Sequence, residues 1–162
     1  MQITQRIAPC LWFDSQAEEA AAFYVSVFKN SRIVKVTRYP EGSDRAGTVL
    51  TVEWELDGDR FVGINGGPQF KFDEALSLSI SCEDQAEVDY FWEKLSEGGE
   101  EGPCGWLKDR YGLSWQVVPK GMEEMYDGSD PERARRAFEA MQKMGKLDIA
   151  ALQSAADGVP AP

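Results

Sequence analysis

The chain has 162 residues, 43% hydrophobic and 28% charged, with a formal net charge of −11, which fits one domain or two small modules sharing a core. It contains no histidine, so Ser-His-Asp and Cys-His catalysis and every imidazole metal ligand are excluded, and its acidity speaks against a nucleic-acid partner. No apolar run approaches the roughly 20 residues of a membrane span, the N-terminal stretch lacks signal-peptide features, and Cys10, Cys82 and Cys104 show no CxxC spacing; the expectation is a cytoplasmic protein without disulfides or a membrane partner.

RIAPCLWF reads as a first strand and DSQAEEAAAFYVSVF as a helix, because Ala20, Tyr24, Val27 and Phe28 recur at helical spacing. Asp14 or Ser15 can cap its start. SRIVKVTRYP is a β-branched strand closed by the turn-forming PEGSDRAG. TVLTVEWEL and RFVGIN flank Asp57-Gly58, a favoured hairpin dipeptide.

The order then restarts. In ALSLSISC, Ser77, Ser79 and Ser81 alternate with Leu78, Ile80 and Cys82, as in a strand. EDQAEVDYFWEKLSEGG is an amphipathic helix with Val88, Phe91, Trp92 and Leu95 on one stripe and Gly98 as its stop. GWLKD and LSWQVVP supply further strands. In the last, Leu113, Trp115 and Val117 alternate with Ser114, Gln116 and Val118. A glutamine thus stands mid-strand, and a buried amide without partners costs about 1–3 kcal/mol. Its face either meets solvent or lines a pocket.

The tail contains a helix that starts at Ser129 with Glu132 as a capping box, or at Asp130 with Pro131 at the first helical position. Ala134, Phe138, Met141 and Met144 form its apolar stripe, and a second short helix from Asp148 buries Ile149 and Leu152. QAE occurs at 16–18 and again at 85–87, and Phe23-Tyr24 is echoed by Phe91-Trp92 at nearly the same offset. With the matching element order this indicates a duplication: modules over 1–75 and 76–120, a helical extension over 121–157 and a frayed end over 158–162.

PCLWFDSQAEEAAAFYVSVF, INGGPQFKF, CGWLKDRYGLSWQVVP and MGKLDIAAL resemble the PhnB-like branch of the vicinal oxygen chelate superfamily (glyoxalases, bleomycin resistance proteins and dioxygenases), a branch labelled with 3-demethylubiquinone-9 3-methyltransferase. The resemblance implies an α+β fold of two tandem βαβββ modules whose curved, antiparallel-rich sheets form a cup, here with a C-terminal helical extension, and assembly as a homodimer. It also implies a divalent metal held by the first and last strands of each module. The superfamily's closing strand carries Asp-x-x-Gly and, four residues later, a ligating Glu; Asp109, Gly112 and Gln116 occupy that pattern here. The other ligand positions fall on Ile7 or Pro9, on Val62 or Gly63 with Asn65 just beyond, and on Ser79. Neutral oxygens bind divalent cations weakly, so no metal and no cofactor is expected. GINGGP leads into no helix start, unlike the glycine-rich turn that cradles S-adenosylmethionine. The expected function is metal-free binding of a small-molecule ligand by Asn65, Gln69, Ser79 and Gln116 as polar groups and Phe70 and Trp106 as aromatic ones. Four alternatives stand beside it: a lyase or isomerase with a divergent metal site, the labelled methyl transfer, an interaction protein whose helical tail docks a partner chain, and satisfied core amides with no pocket at all.

Overall fold

Two units make up the computed structural model, which describes residues 5–159, and the division falls between Phe72 and Asp73. In the first unit, β1 (Cys10–Phe13), β2 (Arg32–Arg38), β3 (Val49–Leu56) and β4 (Asp59–Asn65) form one sheet in the order β1-β4-β3-β2. β1 runs parallel to β4, and the other pairs are antiparallel. A parallel pair needs a crossover, which begins with helix α1 (Ala17–Val27). Leu11, Phe13, Val52, Trp54 and Leu56 are buried with Ala17, Ala20, Ala21, Tyr24 and Val27 of the helix. Each large side chain fully buried in this layer contributes about 1.5–3 kcal/mol. Gly63 makes room for the largest of them, since a Cβ there would lie 2.9 Å from the Trp54 ring. Asp57 (φ 48) and Gly58 (φ 87) take the two left-handed positions of the β3–β4 turn that the sequence predicts.

Two local expectations change. β1 begins only at Cys10, because Pro9 has no N–H to give the ladder; its carbonyl instead accepts from the Val62 N–H at 3.0 Å. Neither Asp14 nor Ser15 caps α1. Gln16 holds the cap position without a side-chain bond, and the Asn65 Oδ1 accepts from the Ala17 N–H at 2.9 Å. The cap therefore comes from the end of β4.

The second unit repeats the plan. β5 (Ser77–Cys82), β6 (Glu100–Glu101), β7 (Trp106–Lys108) and β8 (Ser114–Pro119) pair in the order β5-β8-β7-β6, again with the first strand parallel to the last. Helix α2 (Gln85–Ser96) starts on Asp84, whose carboxylate accepts from the Glu87 N–H at 2.9 Å. Cys82, Val88, Trp92, Leu95, Leu107, Trp115 and Val117 are buried in the same layer. β6 completes the βαβββ order that the resemblance implies, although the residues themselves do not mark it: a Glu-Glu pair between glycines has no β-branched or aromatic residue.

The extension consists of α3 (Met122–Met125), α4 (Pro131–Gln142) and α5 (Ile149–Ala156). Of the two predicted starts for α4, Asp130 is the one used, accepting from the Arg133 N–H at 3.1 Å with Pro131 first in the helix. The apolar stripe is displaced, with Ala137 buried and Phe138 45% exposed. Met122, Leu147 and Leu152 form a small core, joined by Met125, Tyr126, Met141 and Met144. Gln85 ties the extension to α2: its Nε2 donates to the Leu147 carbonyl at 3.0 Å and its Oε1 accepts from the Ile149 N–H at 2.8 Å. Of the end expected to fray, 158–162, Gly158 and Val159 donate their N–H groups to the Ala155 and Ser154 carbonyls at 3.0 and 2.9 Å, and residues 160–162 lie outside the described residues. Among the described residues no helix is long and apolar enough to cross a membrane.

Candidate functional site

β8 has two faces. Trp115, Val117 and Pro119 are buried on one, while Ser114, Gln116 and Val118 occupy the other. The register places Gln116 between Ser79 on β5 and Trp106 on β7, and Ser114 between Ser77 and Lys108. Three of the expected pocket residues, Ser79, Trp106 and Gln116, therefore form one row across the sheet. The Gln116 Nε2 donates to the Ser77 Oγ at 2.9 Å, so the hydroxyl it meets is the diagonal Ser77 and not Ser79, which is exposed. Ser77 was legible only as one of three alternating serines. The Gln116 Oε1 has no hydrogen-bond partner among the described residues. Nor has the Oγ of Ser114, a residue only 1% exposed. The ammonium of Lys108, next along, pairs with Glu74. That pairing holds Glu74 below the usual carboxylate range and Lys108 above its usual value.

The turn before β8 fixes where this row stands. Asp109 is buried, and its Oδ1 accepts from the N–H groups of Tyr111 (2.8 Å) and Leu113 (3.1 Å). Its Oδ2 accepts from the Trp115 indole at 2.9 Å. Gly112 takes φ 85, a conformation that favours glycine. The Asp-x-x-Gly motif thus closes a turn and anchors Trp115, which leaves Gln116 on the opposite face.

In the first unit the three remaining expected residues serve the backbone and one aromatic cluster. Asn65 is on the α1 side of its sheet; besides capping α1, its Nδ2 donates to the Val49 carbonyl at 3.1 Å. Its amide is spent. Gly66 faces the Trp12 ring so closely that a Cβ would lie 2.2 Å from it, and the Gly67 carbonyl accepts from the Trp12 indole at 2.9 Å. Phe70, 64% exposed, packs edge-on against Trp12 at 4.9 Å. Gln69 is exposed beside Gly67 and Arg45. The NGGPQF stretch is thus a clasp for Trp12.

A cleft of about 740 Å³ also lies in this unit, beside the first turns of α1 and lined by Asp14, Glu18, Tyr39 and Arg45 among others. Asn65 reaches it, but Gln69 and Phe70 do not. Arg45 lies over the Tyr39 ring, 5.7 Å from its centroid, and the Tyr39 hydroxyl donates to the Asn65 carbonyl. Sequence periodicity had no means of finding this cleft, because its wall includes the loop between β2 and β3.

The resemblance implies a divalent metal or S-adenosylmethionine, and the donor set suits neither. The Gln116 row offers amide, hydroxyl and indole groups and no carboxylate. Among the described residues no cluster of three or more Cys, Asp or Glu is placed to hold a metal ion. These residues do not fit a divalent cation, which prefers anionic oxygen ligands. An S-adenosylmethionine site fares no better, because the glycines after β4 enclose Trp12 and precede no helix.

Comparison with known proteins agrees with the fold. The family described as 3-demethylubiquinone-9 3-methyltransferase matches residues 5–118. A PhnB protein from Bacillus cereus is 36% identical, covering 71% of this chain and 99% of that one, with a TM-score of 0.64. Protein PA1353 from Pseudomonas aeruginosa is 19% identical over 69% of this chain and 95% of its own, at a TM-score of 0.59. The fosfomycin resistance protein FosX from Listeria monocytogenes, solved with Mn(II) and a sulfate ion, is 16% identical over 70% and 90% of the two chains, at 0.51. No protein of curated function matches the sequence.

Proposed function

The chain belongs to the 3-demethylubiquinone-9 3-methyltransferase family, with the fold of the vicinal oxygen chelate superfamily, and we propose that it is a metal-free protein binding an uncharged small molecule on the Gln116 face of its second unit. One observation carries the reading. The row Ser79–Gln116–Trp106 holds an aromatic ring, an amide and a hydroxyl, with the Gln116 Oε1 unpaired and the buried Ser114 hydroxyl beside it unsatisfied. A buried polar atom without a partner costs about 1–3 kcal/mol, which a ligand group or a bridging water offsets. The row carries no full charge, and Lys108 at its margin is already paired with Glu74. A planar, uncharged ligand with its own donors and acceptors fits these groups.

The proposal includes cytoplasmic residence, which the three free thiols favour. It also includes pairing of two copies along β2, an open sheet edge on which Ile33, Val34 and Val36 are 39%, 41% and 37% exposed. The functional test is elemental analysis of protein purified without chelator, together with melting in Mn²⁺, Ni²⁺ and Zn²⁺. Substoichiometric metal and unchanged melting are expected, and Gln116→Glu alone should create no tight site. A stoichiometric metal, or a melting shift of several degrees, rules the reading out in favour of a lyase or isomerase. Heat on titration with millimolar S-adenosylmethionine would instead restore methyl transfer.

A further inference from the structure

Residues after 118 lie beyond the family match, and there we propose a second ligand site, for a free α-amino acid with an apolar side chain. The extension and the end of β8 surround a cavity of about 360 Å³, within the roughly 300–1,000 Å³ of small-ligand sites. Met122, Met125, Ile149 and Leu152 give it an apolar floor in this reading, since all four line it and none is exposed. Met122 and Leu152 are buried, and the two flexible thioethers let the floor adapt to side chains of different shape.

Three charged groups also line the cavity: Lys120, Arg133 and Glu124. The Glu124 carboxylate has no hydrogen bond or ion pair among the described residues. Lys120 pairs with Glu83 at 3.2 Å and Arg133 with Asp157, through side chains at least 41% exposed. Surface pairs of this kind are weak, so a ligand carboxylate can take either cation. Two exchangeable cations, one unpaired carboxylate and an apolar floor together describe a zwitterion with an apolar branch. Its carboxylate goes to Lys120 and Arg133, its ammonium to Glu124, and its side chain onto the methionines. A fatty acid would bring its headgroup against Glu124, and a simple amine would face both cations.

The test uses the full chain, titrated by calorimetry with L-leucine and L-methionine and, for comparison, L-leucinamide, N-acetyl-L-leucine and octanoate. Both amino acids should bind at millimolar concentration or below, and each derivative that lacks one charge should bind about tenfold more weakly, the loss of one charge-assisted hydrogen bond. Glu124→Gln should weaken L-leucine about tenfold and leave N-acetyl-L-leucine unchanged. Glu124 is exposed, so an unaltered melting curve verifies that the variant folds. No binding by either amino acid, equal binding of the derivatives, or tighter binding of octanoate overturns the proposal. None of these results bears on the Gln116 face, which shares no residue with this cavity.

Discussion

Gln116 and Asn65 are both amides on strands, and their surroundings give them opposite roles. Asn65 donates to one backbone carbonyl and accepts from the first N–H of α1, so its side chain has little left for a ligand. Asn65→Ala should destabilise the fold by about 1–3 kcal/mol, the cost of stranding buried backbone groups. Urea denaturation reads this directly, and an unchanged midpoint would refute the capping role. Gln116 keeps an acceptor free. The cysteines differ in a comparable way. Burial, reinforced by the charge of Glu87, pushes the Cys82 thiol up to about 12, whereas Cys10 is exposed. At about pH 8 only thiolate is nucleophilic, so iodoacetamide should label Cys10 in the native protein and spare Cys82. Peptide mapping checks this, and equal labelling of the two would show that Cys82 is not buried.

At the scale of elements, the clasp around Trp12 makes a sharp prediction. Gly66→Ala would put a methyl group into the indole, so it should cost about 1–3 kcal/mol through overpacking and alter tryptophan fluorescence. Wild-type melting in this variant would contradict the packing. What the sequence made legible follows from local chemistry. Asp130 and Asp148 each precede a helix and each caps it, and Asp57-Gly58 turns a hairpin. What it hid depends on distant partners. The cap of α1 comes from Asn65, 48 residues away, and no local pattern marks such a donor. The face that Asn65 occupies follows from where α1 packs, so it could not be grouped with or separated from Gln116 by spacing alone. Ser79, Gln116 and Trp106 were readable as strand residues, but only the register aligns them in one row.

For the whole molecule, the two units share one strand order but differ in what their sheets carry. The chain has no imidazole, and its depressed carboxylates are surface groups. Hydrogen bonding to Arg60 lowers Glu53, to Lys146 and Gln85 lowers Asp89, and to Lys108 lowers Glu74. A carboxylate whose folded pKa lies below its unfolded value adds stability above the unfolded value, and that stability is lost as pH falls through the folded one. Melting temperature should therefore be flat from about pH 5 to 8 and fall below about pH 4. A steep change near pH 6 to 7 would mean that another group controls folding. The central claim, that the Gln116 face binds an uncharged ligand without metal, is tested most directly by amide NMR. The protein is titrated in EDTA with a library of small, uncharged aromatic amides and carbonyl compounds. The account predicts shifts clustered on Ser77, Ser79, Trp106, Ser114 and Gln116, and their loss in Gln116→Leu; binding that EDTA abolishes, or shifts confined to other residues, would contradict it.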